Sequence, residues 1–212
     1  MKKLILLILI VAGIWYWYKN HSSQDGIFDE NGNPVVMVFT VADCGPCQDV
    51  TEFLNKRDVP YQEIEINPSD NQDNNVKLWK KSGEKGFPYT LAGHSKVVGT
   101  TKWGLISLLG TNFGDQYLTY DEQYFFKQHF NEEGYPQIVL YGVSWCPYCV
   151  KLRKEFNDKS TAFVDIDVEG SGEKERMTSV MEIQGYPALW VGYTRVSGTE
   201  YDDVMKVVKA EM

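Results

Sequence analysis

The sequence predicts an α/β protein built from two copies of one small domain, each a four-stranded mixed sheet flanked by helices, preceded by an apolar N-terminal helix. Three observations predict this fold class. Two long stretches of the chain resemble each other, each stretch carries a Cys-x-x-Cys motif after a buried strand, and the chain begins with an uncharged apolar run. The 212 residues leave room for two small domains that each bury a core.

The N-terminal residues 1–22 are expected to be a membrane anchor or a signal segment. An uncharged run from Leu4 to Tyr18 follows Lys2 and Lys3, and its 15 residues are short for a spanning helix but suit a signal-peptide core. The run ends in four aromatic residues, which favour a membrane interface, and no good cleavage site follows. We expect an uncleaved single-pass transmembrane helix with an extracytoplasmic body. A body on the cytoplasmic face and secretion after cleavage remain alternatives.

The internal repeat is clearest around the two cysteine pairs. Residues 35–47, VVMVFTVADCGPC, align with residues 137–149, QIVLYGVSWCPYC, at an offset of 102 residues. At an offset of 99, residues 86–109 align with residues 185–208 and share a Gly-aromatic-Pro turn. Each copy predicts a parallel strand-helix-strand unit, a second helix, an antiparallel hairpin and a final helix. The predicted bounds are residues 34–110 for domain 1 and 136–212 for domain 2.

The segment between the two domains, residues 111–135, is rich in aromatic side chains. Thr119 and Glu122 have the spacing of a capping box, which predicts a helix from about Tyr120 to Phe130. We expect the aromatic rings to pack this helical linker against one or both domains. The alternative is that they form a docking surface for a partner.

The overall composition restricts the classes of function. Hydrophobic residues make up 43% of the chain and charged residues 24%, which is typical of a globular protein rather than a disordered one. The formal net charge is −8. Because phosphate binding needs clustered Lys and Arg, we expect no nucleic-acid partner. Four cysteines in two short pairs are too few for a disulfide-stapled scaffold, so they indicate catalysis or metal binding.

Other chemistries of the cysteine pairs are less well supported than redox chemistry. Haem attachment needs a histidine after the second cysteine, but Gln48 and Val150 stand there. A four-cysteine zinc site usually has its pairs much closer together than these, so we predict no metal ligands. A purely structural disulfide within so short a loop would remove little chain entropy. A non-enzymatic iron–sulfur or metal carrier stays open as an alternative.

The order of elements and motifs resembles the glutaredoxin branch of the thioredoxin fold. Residues 146–149, CPYC, match the motif of dithiol glutaredoxins letter for letter, and residues 44–47, CGPC, are the thioredoxin version. The two copies together cover about three quarters of the chain. The resemblance implies a thiol–disulfide oxidoreductase that needs no bound cofactor and uses glutathione as co-substrate. Its partners would be disulfide-containing proteins and glutathione or another thiol reductant. The nearest alternative is a thioredoxin-like periplasmic reductase or isomerase that does not use glutathione.

The four cysteines are the predicted catalytic residues. A cysteine at the first turn of a helix is stabilised as a thiolate by free amides and the helix dipole, and the thiolate is the nucleophile. We therefore expect Cys146 and Cys44 to attack the substrate disulfide. Cys149 and Cys47 lie one turn further on and can displace the mixed disulfide.

The resemblance also implies a set of residues that bind the substrate or glutathione. In the family a later proline is cis, and the backbone beside it pairs with the substrate. Pro187 and Pro88 match this proline by position. The implied binding residues are Tyr148, Tyr186, Pro187, Gly198, Thr199 and Glu200 in domain 2, and Phe87 and Pro88 in domain 1.

The charges around the two cysteine pairs differ. The nearby basic residues of domain 2 are Lys151, Arg153 and Lys154, and the nearby acidic residues of domain 1 are Asp43, Asp49 and Glu52. Because positive charge favours a thiolate and attracts anionic glutathione, we expect domain 2 to be the glutathione-type site. Domain 1 would be a weaker reductant, a relay or a docking domain. His21, His94 and His129 have no partner pattern and are expected to be incidental surface residues.

Overall fold

The computed structural model of the chain describes residues 26–211. The predicted anchor at residues 1–22 lies outside these residues and stays a prediction. Within residues 26–211, no helix has both the length and the apolar character needed to cross a membrane.

Domain 1 contains a four-stranded mixed sheet. Its strands are β1 (Val36–Thr40), β2 (Tyr61–Glu65), β3 (Tyr89–Ala92) and β4 (Ser95–Val98), and its helices are α1 (Gly45–Asn55), α2 (Asn74–Lys81) and α3 (Lys102–Phe113). Strand β1 pairs in parallel with β2 and antiparallel with β3, and β3 pairs antiparallel with β4. The strand order is therefore β2-β1-β3-β4. Helix α1 connects the two parallel strands, as a parallel pair requires.

Domain 2 repeats this arrangement. Its strands are β5 (Ile138–Gly142), β6 (Val164–Asp167), β7 (Ala188–Val191) and β8 (Thr194–Arg195). The helix between the domains is α4 (Tyr120–Phe126), and the helices of domain 2 are α5 (Pro147–Asp158), α6 (Lys174–Val180) and α7 (Tyr201–Glu211). The strand order β6-β5-β7-β8 has the same parallel and antiparallel pairs as domain 1. The prediction of two mixed four-stranded sheets flanked by helices is confirmed.

Helix α4 (Tyr120–Phe126) lies between the domains and continues into a short 3₁₀-helix (Lys127–His129). The predicted capping box is present, because the amide of Glu122 donates to the Thr119 hydroxyl and the Glu122 carboxylate accepts from the Thr119 amide. Such reciprocal bonds satisfy amides that the first helical turn leaves unpaired. The buried phenylalanines of α4, Phe125 and Phe126, belong to the domain 2 core. These two rings therefore pack α4 against domain 2, whereas Phe113 and Tyr117 of the same linker pack against the domain 1 core.

The structural repeat starts earlier than the two predicted domains. Residues 27–34 and 129–136 form the same tight loop, again at an offset of 102 residues. The Asp29 amide donates to the Asn33 carbonyl oxygen in the first loop, and the Asn131 amide donates to the Tyr135 carbonyl oxygen in the second, both at 2.9 Å. Each loop closes with a β-bridge to a proline, at Pro34 and Pro136.

Helix α3 packs against both domains. Its residues in the domain 1 core are Leu105, Leu108 and Leu109. Its Ile106 belongs to the domain 2 core, and Trp103 packs against the same core. Gly110 allows close contact with domain 2, because an added Cβ would stand 2.3 Å from the ring of Tyr193. A helix between two apolar surfaces needs apolar residues around most of its circumference, and α3 has them.

A buried carboxylate connects the two domains through α4. Glu122 lies 2.9 Å from Arg57 Nη2, and the side chains are 3% and 12% exposed. Lys102 Nζ lies 3.5 Å from the same carboxylate and also donates to the Val180 carbonyl oxygen of domain 2. Arg57 and Lys102 of domain 1 thus surround the Glu122 carboxylate of α4, and Lys102 also bonds to domain 2.

The prediction that His129 is a surface residue is wrong. Its ring is fully buried, with Nδ1 2.8 Å from the Gly192 carbonyl oxygen and Nε2 2.8 Å from the Tyr141 hydroxyl. Because a carbonyl only accepts, Nδ1 carries the proton and Nε2 accepts from Tyr141. Burial lowers the pKa of His129 to about 4, so the ring is neutral at neutral pH. His94 is exposed, as predicted, and His21 lies outside the described residues.

Candidate active site

The first cysteine of each pair caps a helix. Cys44 is the N-cap of α1, and its sulfur accepts a hydrogen bond from the Cys47 amide at 3.2 Å. Cys146 is the N-cap of α5, and its sulfur accepts from the Cys149 amide at the same distance. A thiolate at this position is stabilised by the amide and by the positive end of the helix dipole. The two pairs therefore share the same N-cap hydrogen bond.

The cysteine pairs occur in different redox forms in the structure. Cys44 and Cys47 form a disulfide, with Cα atoms 5.2 Å apart. Cys146 and Cys149 are free thiols, and both are buried. The Cys146 thiol points to the Tyr186 carbonyl oxygen at 3.5 Å, so it lies beside the Gly-aromatic-Pro turn.

Both predicted prolines follow cis peptide bonds, at Phe87–Pro88 and Tyr186–Pro187. The residues before them have different partners. Phe87 stacks on Trp79 with ring centroids 4.8 Å apart, whereas Tyr186 meets Trp145 edge-on at 6.2 Å. The aromatic contacts beside the cis-proline turn therefore differ between the two domains.

Apolar surface surrounds the cysteine pair of domain 2. Trp145, Tyr148 and Val150 are 65%, 60% and 53% exposed. The residues at the same positions of domain 1 are Asp43, Pro46 and Gln48. Of the three residues, only Tyr148 is among the predicted binding residues, although Trp145 directly precedes the first cysteine. The indole N–H of Trp145 donates to Glu169 at 2.9 Å, which holds the ring beside the site.

The three basic residues that follow the domain 2 cysteines are each paired with a carboxylate. The ion pairs are Lys151 with Glu200, Arg153 with Asp165 and Lys154 with Asp158. Paired charges largely cancel at a distance, so they attract an anionic ligand less than free ones would. Lys154 and its partner face solvent, with side chains 74% and 58% exposed. The charge difference between the two sites is therefore smaller than the sequence suggests.

The predicted binding residues after β8 form a loop next to α5. Gly198 has φ +132°, and a Cβ there would stand 2.2 Å from an oxygen of Asp203, so the loop requires glycine at this point. Thr199 is exposed, and Glu200 reaches α5 through Lys151. This contact places the loop beside the helix that carries the cysteine pair.

The two thiols of domain 2 are not equivalent. Burial, together with the hydrogen bond to Cys146, raises the pKa of the Cys149 thiol to about 11. At neutral pH Cys149 is therefore protonated and is a poor first nucleophile. Cys146, which accepts the amide hydrogen bond, is the better candidate for the first attack.

Two grooves in the described part of the chain lie apart from the cysteines. One groove of about 480 Å³ lies in domain 1 beside Phe39 and Leu91, and another of about 470 Å³ lies between Ser107 and Arg195. No cysteine lines either groove. Within residues 26–211, no three or more His, Cys, Asp and Glu side chains are grouped so that they could hold a metal ion.

Known proteins match both copies of the repeat or one of them. The family model of glutaredoxin matches residues 36–93 and 138–196. A glutaredoxin of Pseudomonas aeruginosa is 29% identical over 66 residues, which are 31% of this chain and 79% of that protein. Wheat glutaredoxin is 20% identical, with 35% of this chain and 70% of that chain covered and a TM-score of 0.29. A buckwheat glutaredoxin–glutathione complex is 17% identical, with 35% and 69% covered and a TM-score of 0.30.

The two family matches together span more than half of the chain. Each match includes a strand-to-helix Cys-x-x-Cys and the cis-proline turn that lies after it. The chain therefore belongs to the glutaredoxin family and contains two glutaredoxin domains.

Proposed function

We propose that this protein is a thiol–disulfide oxidoreductase in which Cys146 attacks a substrate disulfide and Cys149 resolves the mixed disulfide. One observation carries the proposal. The sulfur of Cys146 caps α5 and accepts the Cys149 amide at 3.2 Å, while Cys149 itself is fully buried and protonated. This division into one stabilised nucleophile and one protected second thiol is what a two-step exchange requires.

The proposed reaction balances as a two-electron exchange. The Cys146 thiolate attacks one sulfur of the substrate disulfide, the substrate S–S bond breaks, and the leaving thiolate takes up a proton. Cys149 then loses its proton and attacks the Cys146 sulfur, which releases the second substrate thiol. The substrate disulfide is reduced to two thiols, and Cys146 and Cys149 are oxidised to a disulfide. Glutathione or another thiol reductant then restores the dithiol, so the cycle needs no bound cofactor.

The second redox pair in the proposal is Cys44 and Cys47. Its support is the matching N-cap geometry in domain 1 and the match of that domain to the family. Domain 1 lacks the exposed aromatic residues that surround Cys146, so we propose that it acts as a weaker reductant or a relay.

Disulfide-containing proteins are the proposed substrates of domain 2. The exposed side chains of Trp145, Tyr148 and Val150 offer apolar area that a small disulfide would cover only in part. Glutathione is the proposed co-substrate. Its support is that Tyr148 lies between the two cysteines in the chain, that the Tyr186 carbonyl oxygen of the cis-proline turn accepts from Cys146, and that Glu200 of the loop pairs with Lys151 of α5.

A thioredoxin-like reductase that does not use glutathione is the second candidate. The observation that favours it is the ion pair between Lys151 and Glu200. Both charges next to the site are already satisfied by each other, so neither is free to bind the charged ends of glutathione unless the pair opens.

Reduction of a glutathione mixed disulfide tests the proposal. The full chain is compared with Cys146→Ser, Cys149→Ser and Cys44→Ser, with glutathione and, separately, dithiothreitol as reductant. We expect Cys146→Ser to remove most of the activity and Cys44→Ser to remove a minor part. Activity with dithiothreitol on a protein disulfide, but none with glutathione, would favour the second candidate. Full activity in both Cys146→Ser and Cys44→Ser would reject an oxidoreductase, and coloured, metal-containing protein would favour a metal or iron–sulfur carrier.

The proposed location is a membrane-anchored body on the extracytoplasmic side. Its support is the apolar run and the N-terminal lysines of residues 1–22. Protease treatment of intact spheroplasts tests it, because an external body would be digested, whereas protection would place the body inside.

A further inference from the structure

An arginine lies next to the buried second cysteine of domain 2. The two groups meet at Gly142, the last residue of β5. A Cβ added at Gly142 would stand 2.9 Å from Arg153 Nη2 and 3.3 Å from Cys149 Sγ. The guanidinium, the thiol and a methyl group of Leu140, at 2.7 Å from the same point, therefore pack closely around residue 142, which leaves them this space because it has no side chain.

The guanidinium of Arg153 is held in this place by three hydrogen bonds. Its Nε and Nη2 donate to the Asp165 carboxylate at 2.7 and 2.9 Å, and its Nη1 donates to the Val143 carbonyl oxygen at 3.2 Å. The side chain is only 20% exposed. Because a two-point bond to a carboxylate fixes the plane of the guanidinium, the charge stays directed to the cysteine side of β5.

Domain 1 lacks this arrangement at the equivalent positions. The residues aligned with Gly142, Arg153 and Asp165 at the offset of 102 are Thr40, Thr51 and Glu63. Thr40 is buried, and its hydroxyl donates to Glu63 at 3.1 Å, so the acidic residue of β2 is bonded to a threonine and not to a guanidinium. The arginine is thus a feature of one site and not of the repeat.

We propose that Arg153 is a positioning residue for the second step of exchange, where it stabilises the Cys149 thiolate as this thiolate attacks the mixed disulfide on Cys146. The proposal rests on the proposed function. It gives domain 2 a residue that promotes the second step of exchange and that domain 1 lacks.

The second step needs such a group because Cys149 is hard to deprotonate. The charged and titratable groups that act on Cys149 are Cys146 and Arg153, and the carboxylates that act in turn on Arg153 are Asp165 and Asp167 of β6. Burial raises the pKa of Cys149, and the charge of Arg153 lowers it. Once Cys146 is in a mixed disulfide, its sulfur is neutral and no longer opposes a second negative charge. Arg153 then acts on the Cys149 thiolate, while Asp165 keeps the guanidinium in place and moderates its charge.

The test separates the two steps with an aromatic disulfide that releases a coloured thiol. The full chain carries Cys44→Ser and Cys47→Ser, so that only the domain 2 thiols react. Attack by Cys146 releases one coloured thiol at a rate that depends on reagent concentration. Attack by Cys149 releases the second at a rate that does not. A stopped-flow trace thus reports each step by itself.

We expect Arg153→Met to slow the second phase about threefold or more at neutral pH and to leave the first phase within about twofold. A loss of one pKa unit lowers the thiolate tenfold, and the greater nucleophilicity of a more basic thiolate returns about threefold of this loss. Arg153→Lys should recover part of the rate. Thiolate absorbance in a Cys146→Ser background should show the titration of Cys149 moved to higher pH by Arg153→Met.

The matched control is Lys154→Met, which removes a neighbouring positive charge of α5 that faces solvent. It should change neither phase. The proposal is overturned if Arg153→Met leaves the second phase and the Cys149 titration unchanged, or if it slows only the first phase. It is also overturned if Lys154→Met has the same effect. An unchanged first phase also shows that the variant is folded. If the unmutated domain 2 gives no first phase at all, the proposed function fails and not the role of Arg153.

Discussion

Removal of the Glu122 carboxylate is expected to cost about 3–5 kcal/mol of folding free energy. The carboxylate accepts hydrogen bonds from Arg57 at 2.9 Å and from the Thr119 amide at 2.9 Å, and Lys102 lies at 3.5 Å. Glu122→Ala would leave the guanidinium of Arg57, only 12% exposed, without its counter-charge. An uncompensated buried charge is costly, and loss of the capping box adds to the cost.

A double variant distinguishes this reasoning from a general loss of packing. Glu122→Leu together with Arg57→Met removes both charges and keeps much of the volume, so it should recover most of the loss. The exposed ion pair of Glu52 with Lys56, one residue before Arg57, is the control, and Glu52→Ala should change the stability by no measurable amount.

Urea unfolding followed by circular dichroism measures the free energy, with each transition fitted separately where the domains unfold apart. The reasoning fails if Glu122→Ala costs no more than Glu52→Ala, or if the double variant is no more stable than the single one.

Three further predictions concern other parts of the fold. The pKa of His129 is lowered by burial from 6.5 to about 4. The unfolded chain therefore binds more protons between these values, and stability should fall by up to about 3 kcal/mol as the pH drops through this window. Unfolding measured against pH should show a smaller slope in His129→Gln. Gly110→Ala should cost about 1–3 kcal/mol in the same unfolding assay, because the new methyl group meets the Tyr193 ring at 2.3 Å. Native protein treated with iodoacetamide at neutral pH should be modified at Cys146 and not at Cys149, as mass spectrometry of peptides would show. With a pKa of about 11, Cys149 is only about one ten-thousandth thiolate at pH 7.

Each of these predictions has a result that would contradict it. An equal pH slope in His129→Gln and the unchanged protein would mean that the ring does not become charged on unfolding. For Gly110→Ala the comparison is Gly45→Ala, where a Cβ meets nothing within 4 Å, and equal stability of the two variants would remove the packing argument. Alkylation of Cys149 as fast as Cys146 would show that the second thiol is neither protected nor basic.

Several features of the fold were predictable because they depend on residues close together in the chain. The alternation of buried strands, the Cys-x-x-Cys at the start of a helix and the capping box of Thr119 and Glu122 all act within a few residues. The repeat at a fixed offset then indicated two domains. The same offset also aligns residues 27–34 with 129–136, so the sequence contains the signal of this shared loop.

The apolar residues of helix α3 form a pattern that the sequence alone does not explain. Its apolar residues do not follow a single stripe, which is unusual for a helix on the outside of a small domain. The structure supplies the reason, because the leucines face domain 1 while Trp103, Ile106 and Gly110 face domain 2. The sequence alone could not say which second surface the helix meets.

The sequence by itself determined that the chain has two domains of one kind, each with two cysteines at the start of a helix. These features follow from local patterns and from repetition. Only the tertiary structure decided that His129 is buried, that Lys151 pairs with Glu200, and that Arg153 lies beside Cys149. The partners of His129 and Lys151 lie as far as 63 and 49 residues away. Burial and charge pairing depend on such distant contacts, and a single sequence records the residues without recording which of them meet.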